Sequence, residues 1–209
     1  MNLLIFGASG ATGHELVNQS LLKGHSVTAF VREPSRLNVN NPKLKVVQGS
    51  ITDKADLTNA IKGHDVVLSA LGASSPFKFD PILIEGAAKI VRTMEDLKVL
   101  RFIYLSFIGV GESRVNGGFV IRYIAPKLLK NEIAGHEARE KVIRNSGLNW
   151  TIIHAPTLTK GKMRGAYRKG ENLSSNSFVV AMSRADVADF MLSQCVDLTF
   201  NHKAVRIMY

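Results

Sequence analysis

The sequence predicts an α/β fold: a doubly wound, mostly parallel sheet with helices on both faces. Three observations carry that prediction. Apolar runs alternate with amphipathic stretches from end to end. The apolar runs show no strict apolar–polar alternation, which suits strands covered on both sides. The first run is followed at once by a glycine-rich turn that opens a helical pattern, the order a strand–loop–helix unit requires.

Element by element, strands are expected at residues 3–7, 26–31, 44–48, 65–71, 101–106 and 150–154. Helices are expected at 11–22, 53–61, 81–97 and 127–144. Right-handed crossovers then give the strand order 3-2-1-4-5-6 of a Rossmann sheet. Ser183 reads as the cap of a further helix, with Asp186 complementing its dipole. At 209 residues, with 45% apolar content, one core and one domain over 1–209 are expected. Two glycine-bearing stretches, 107–126 and 157–176, leave the carboxyl ends of strands five and six. Ligands sit at those ends in open α/β sheets, so the two loops are the expected walls of a substrate cleft.

Composition narrows the function. No stretch approaches the ~20 apolar residues of a membrane span, and Met1-Asn2 leads straight into a strand rather than a basic leader. The single cysteine, Cys195, excludes an intramolecular disulfide framework and a cysteine-built zinc site. The six histidines lack metal-ligand spacing, so no metal is expected. These features fit a cytoplasmic protein. The net charge of +10 comes without any run of five Lys or Arg. It is better suited to gathering small anions than to reading nucleic acid.

The first chemical signal is Gly7-Ala8-Ser9-Gly10-Ala11-Thr12-Gly13, directly after strand one. Glycines there let the backbone turn tightly and approach a pyrophosphate, while the amides of the following helix face its charge. The spacing is G-x-x-G-x-x-G, one residue away from the usual dinucleotide fingerprint. The second signal selects the dinucleotide. Where NAD-binding proteins place an acidic residue on the ribose, strand two delivers Arg32, with Ser35 and Arg36 beyond. Arginine offers phosphate a rigid donor fork, which points to the 2′-phosphate of NADP(H).

With these motifs, the stretch from Val31 to Leu37, Ser69-Ala70-Leu71-Gly72 and the Ser183-Arg184-Ala185-Asp186 segment, the chain resembles the atypical short-chain dehydrogenases/reductases. Within them it is most similar to the NmrA-like and biliverdin-IXβ/flavin reductase group. The resemblance implies that Ser9, Gly10 and Thr12 hold phosphate, and that Arg32, Ser35 and Arg36 form the 2′-phosphate pocket. It places Ser50-Ile51 near adenine, with serine where the family usually has aspartate. Leu71-Gly72 would follow the adenosine ribose and phosphates, and Ser106, Pro156, Thr157 and Leu158 would surround nicotinamide. The flavin-reductase pattern often has histidine at the position of Thr157. His136 resembles a histidine of that pattern and is a candidate for lining the cleft, with a solvent-facing helical position the alternative.

For catalysis the candidates are Ser106 and Tyr123. Tyr123-Ile124-Ala125-Pro126-Lys127 matches the Tyr-x-x-x-Lys pair of carbonyl reductases by letter. Pro126, however, suggests a helix that begins only there, which would take Tyr123 and Lys127 off one helical face. His154, ending strand six, reads as a packed residue. The expected activity is hydride transfer from NADPH to a planar conjugated acceptor: a flavin (FMN or FAD as substrate), a quinone or a tetrapyrrole-like molecule. The alternatives are an NADP(H)-sensing regulator of a protein partner, and a nucleotide-sugar epimerase or dehydratase.

Overall fold

The computed structural model describes all residues except Ser74, Pro76 and Lys78. Strands β1 (Asn2–Phe6), β2 (Ser26–Val31), β3 (Leu44–Gln48), β4 (Val66–Ser69), β5 (Arg101–Phe107) and β6 (Asn149–Ala155) lie parallel in the order β3-β2-β1-β4-β5-β6. That is the predicted order. Two further strands extend the sheet beyond β6. The short β8 (Arg168–Gly170) runs antiparallel to β10 (Lys203–Met208), which pairs in parallel with β6. The stretch 157–176 is therefore not one long loop. It holds β8 and also β7 (Thr157–Thr159), which pairs with β9 (Ala181–Ser183) in a separate two-stranded sheet. A three-residue Arg-Lys-Gly strand carries no apolar period, so nothing in its sequence marks it.

Alternate residues of each central strand enter two cores. Leu3 and Ile5 of β1 pack with Val27, Leu68, Ile103 and Ile153 beneath α1 (Ala11–Leu22) and α6 (Arg184–Ser193). Leu4 and Phe6 pack with Phe30, Val67, Phe102 and Ile152 beneath α2 (Lys54–Ile61), α3 (Pro81–Asp96) and α5 (Lys130–Arg144). Burial on both faces is why these strands read as unbroken apolar runs.

Helix starts follow local chemistry. Asp53 caps α2 through the amide of Asp56, Asp80 caps α3 through that of Ile82, and Ser183 caps α6 through that of Asp186. Asp186 does more than complement a dipole. Its carboxylate accepts the amides of Arg164 and Gly165 and the hydroxyls of Ser183 and Tyr209, which ties the chain after β7 to α6. α1 differs from these three in that its cap is Gly10 and no side chain caps it; like that of α3, its first turn has no acid.

The helix expected at 127–144 is two helices, α4 (Ala125–Leu128) and α5, broken at Leu129. Helical backbone also starts earlier than Pro126 suggests, because a π-helical turn at Val120–Ile124 runs directly into α4. Pro126 lies in the first turn of α4, the helix that immediately follows the π-helical turn. Tyr123 and Lys127 thus share one helical stretch after all.

Candidate functional site

A trough runs along the carboxyl ends of the parallel strands, in two joined cavities. The first, about 370 Å³, is lined by Gly7, Ser9, Gly10, Arg32, Arg36, Ser50, Ile51 and residues 70–73, with Asp80 at the start of α3. The second, about 610 Å³, is lined by Gly10, Ala11, Thr12, residues 70–73, Ser106, Glu132, His136, Pro156, Thr157, Leu158 and Arg184. Gly10 and residues 70–73, which follow β4, line both, so the two cavities are continuous.

The turn between β1 and α1 is built from backbone. Gly7 has φ +76° and Gly13 packs straight against the Gly7 carbonyl oxygen and Ala8, so a Cβ at either position would strike main chain. This close packing points the start of α1 into the trough. The first amides of a helix have no intrahelical acceptor. In α2, α3 and α6 a side chain takes one of them, and in α1 none does. An uncapped, acid-free helix start facing a cavity is suited to an anion. At the far end of the first cavity Arg32 and Arg36 stand exposed at the mouth. The residues present therefore fit a phosphate-bearing dinucleotide.

The predicted residues divide clearly. Gly7, Ser9, Gly10, Ala11, Thr12, Arg32, Arg36, Ser50, Ile51, Leu71, Gly72, Ser106, His136, Pro156, Thr157 and Leu158 all line the trough. Gly13 acts from behind, by packing. Ser35 is exposed in a 3₁₀ turn and lines neither cavity. The Ser50 hydroxyl is paired with that of Thr52 at 2.9 Å, and the carboxylate of this end of the trough comes from Asp80. Tyr123 also lines neither cavity. It is 52% exposed and packs on Phe119, with the Arg122 guanidinium 5.3 Å from its ring centre. Of the two stretches expected to wall the cleft, only Phe107 and residues 157–158 line it.

Behind Ser106 lies a buried polar network that the sequence reading missed. The Ser106 hydroxyl donates to Glu140 Oε1 at 2.6 Å, and His154 Nε2 donates to the same oxygen at 2.8 Å. Arg144 donates to Glu140 Oε2 at 2.9 Å. Burial opposes ionisation of Glu140, but the hydrogen bonds from His154, Ser106 and Arg144 outweigh it and hold its pKa down at about 2. His136 is buried beside this group. Its Nδ1 lies 3.0 Å from the Tyr104 hydroxyl and 3.3 Å from Ser106 Oγ, and its Nε2 lies 3.2 Å from Glu132 Oε1. Burial pushes the His136 pKa down against the pull of Glu132, and burial pushes the Tyr104 phenol up. His136 is thus neutral, with its proton on Nε2 facing Glu132, and Nδ1 accepts from Tyr104. One signal for the network was present in the sequence. Glu132, His136, Glu140 and Arg144 recur every four residues, on one face of α5. Tyr104 and His154 gave no such signal.

Residues 7–197 match the model of the NAD(P)H-binding family, and the chain belongs to that family. The UPF0659 protein YMR090W of Saccharomyces cerevisiae is 25% identical over 201 residues, covering 92% of this chain and 86% of that one. Other relatives are longer, and the chain spans 37% to 57% of their length. Among solved structures, a short-chain dehydrogenase/reductase of Veillonella parvula in complex with NADP superposes with TM-score 0.80. It has 21% identity and covers 100% of this chain and 94% of that one. ChuY, an anaerobillin reductase from Escherichia coli O157:H7, superposes with TM-score 0.79 at 18% identity, covering 100% and 97%. The expected likeness to the short-chain dehydrogenase/reductase fold holds.

Proposed function

We propose that this protein is an NADPH-dependent reductase whose acceptor is a planar conjugated molecule of the flavin, quinone or tetrapyrrole kind. One observation carries the reading: the continuity of the trough. The start of α1 would hold the phosphates of a dinucleotide and Arg32 and Arg36 its 2′-phosphate, and the cavity lining runs on from there past residues 70–73 to Ser106 and His136. There the second cavity is walled by Leu105, Phe107, Leu129, Ala155 and Leu158, an apolar slot suited to a flat ring. NADPH, when bound, supplies the hydride. The chain's own residues orient both partners: backbone and Thr12 hold the phosphate end, Ser106 and His136 form the floor, and Thr157 and Leu158 form the opposite wall. Orientation of this kind accounts for large rate factors without a side-chain acid. A Tyr/Lys mechanism is disfavoured by the exposed position of Tyr123 outside both cavities.

The test is direct. Purified protein is titrated with NADPH and NADH, then mixed with FMN, a benzoquinone or a linear tetrapyrrole while NADPH absorbance is followed. Preferential NADPH binding with acceptor-dependent oxidation is expected. Tight NADPH binding with no oxidation by any of the three would assign the chain to the sensing proteins instead.

A further inference from the structure

The proton on Ser106 decides what the floor of the cleft can recognise. A serine hydroxyl has one proton and two lone pairs. That proton is directed at Glu140 Oε1, 2.6 Å away, inside a network in which His154 donates to the same oxygen and Arg144 to Oε2. The other buried group near Ser106 does not compete for it. His136 Nδ1 is farther, at 3.3 Å, and takes the Tyr104 hydroxyl at 3.0 Å. Ser106, His136, Glu140 and His154 are each 6% exposed or less, so water does not exchange these partners freely. Only the lone pairs of Ser106 remain for the cleft.

We propose that Glu140 fixes Ser106 as a hydrogen-bond acceptor toward the cleft, so that the site selects a ligand group presenting an N–H. The serine gives no proton to a carbonyl oxygen. Glu140 touches no ligand and is a positioning residue. The N–H has two possible sources, the carboxamide of a nicotinamide or a ring N–H of the acceptor. This inference rests on the proposed reductase reading for the second source but not for the first.

Two ligand pairs separate the sources. Lumiflavin is compared with its N3-methyl derivative by KM in NADPH oxidation. NADPH is compared with its reduced 3-acetylpyridine analogue, which lacks the carboxamide NH₂, by dissociation constant from quenching or transfer fluorescence. Each pair is measured on the wild type and on Ser106→Ala. A neutral hydrogen bond corresponds to about a 2- to 12-fold change. Loss of the N–H is expected to weaken one pair by that factor in the wild type, with the difference abolished in Ser106→Ala. The pair that responds names the source. Glu140→Ala, which frees the serine proton, should shrink the same difference although Ser106 is still present. Should Glu140→Ala not fold, the Ser106→Ala comparisons decide alone. If no flavin is reduced, the reductase reading suffers while the dissociation constants still test the serine. Equal N–H discrimination in wild type and Ser106→Ala, for every pair that binds, overturns the proposal.

Discussion

The two ends of the trough are made in different ways. The phosphate end is a contiguous stretch of backbone: seven residues after β1, two glycines packed on main chain, and a helix start left uncapped. The other end gathers side chains from β5, α5, β6 and the strand after it, around a buried carboxylate 34 residues from the serine it holds. The first end works through geometry that glycine alone permits. The second works through proton positions, which depend on burial and on partners distant in sequence. Substitutions at one end should therefore disturb fold and phosphate affinity, and at the other, pH response and ligand discrimination.

The largest effect is expected at Gly13. Alanine there drives a Cβ into the Gly7 carbonyl and Ala8, and main chain cannot yield as a flexible side chain would. A loss of about 3 kcal/mol or more in denaturant unfolding is expected. Gly10 offers the contrast, since a Cβ there meets the protein only at 3.2 Å from Gly7 oxygen. Gly10→Val should lower stability much less than Gly13→Ala and leave the fold intact, while NADPH affinity falls roughly 100-fold, about 2.8 kcal/mol. A native-like Gly13→Ala protein would remove the packing argument.

At the other end, acid should find Glu140. Its folded pKa of about 2 lies below the ordinary 4.5, so the stabilisation it contributes is complete above about pH 4.5. It is lost as the pH falls from there toward 2. The amount is about 3 kcal/mol. His136 acts earlier with the same sign, because its pKa is lowered from 6.5 and the unfolded chain takes up its proton first. Glu132, Arg139 and Glu140 are the charged groups that bear on it. Unfolding free energy measured from pH 7 to 3 should decline throughout, and Glu140→Gln should flatten the part below pH 4.5. An unchanged acid limb in that variant would show that other carboxylates govern it.

A smaller effect sharpens cofactor choice. A hydrogen bond to a charged group is worth about 1.5–3 kcal/mol, so Arg32→Ala should weaken NADPH binding roughly 10- to 150-fold and leave NADH nearly unmoved. Matching losses for both cofactors would make Arg32 a fold residue rather than a phosphate reader. The smallest effect is expected at Tyr123. The phenol is half exposed and outside the trough, so Tyr123→Phe should lower turnover by less than tenfold, under ~1.4 kcal/mol. A drop of 10²–10⁴-fold with intact NADPH binding would indicate general acid catalysis by tyrosine.

Legibility follows the same division. Five of the six parallel strands could be read because both their faces are buried, which leaves apolar runs in the sequence, whereas the edge strand β3 is largely exposed and was read from its Leu-x-Val-Val stretch alone. The phosphate loop could be read because its chemistry lies in consecutive residues. β8 could not, because three polar residues become a strand only when β10 lies beside them. Ser35 is not among the residues lining the cavity, because proximity to Arg32 and Arg36 in sequence does not say which side of a 3₁₀ turn faces it. Pro126 misled on where the helix begins, since proline marks a first turn but says nothing of a π-helical turn leading into it.

By itself, then, the sequence determined the α/β sheet, the glycine turn and the two arginines that line the first cavity, all of which depend on local backbone freedom, period and charge. Only the tertiary structure decided which way the Ser106 proton points, that His136 is buried and neutral, and that Tyr123 stands outside the cleft. Those are properties of side chains brought together from separate elements. Their protonation and direction are set by exclusion of water and by partners that no sequence spacing brings into view.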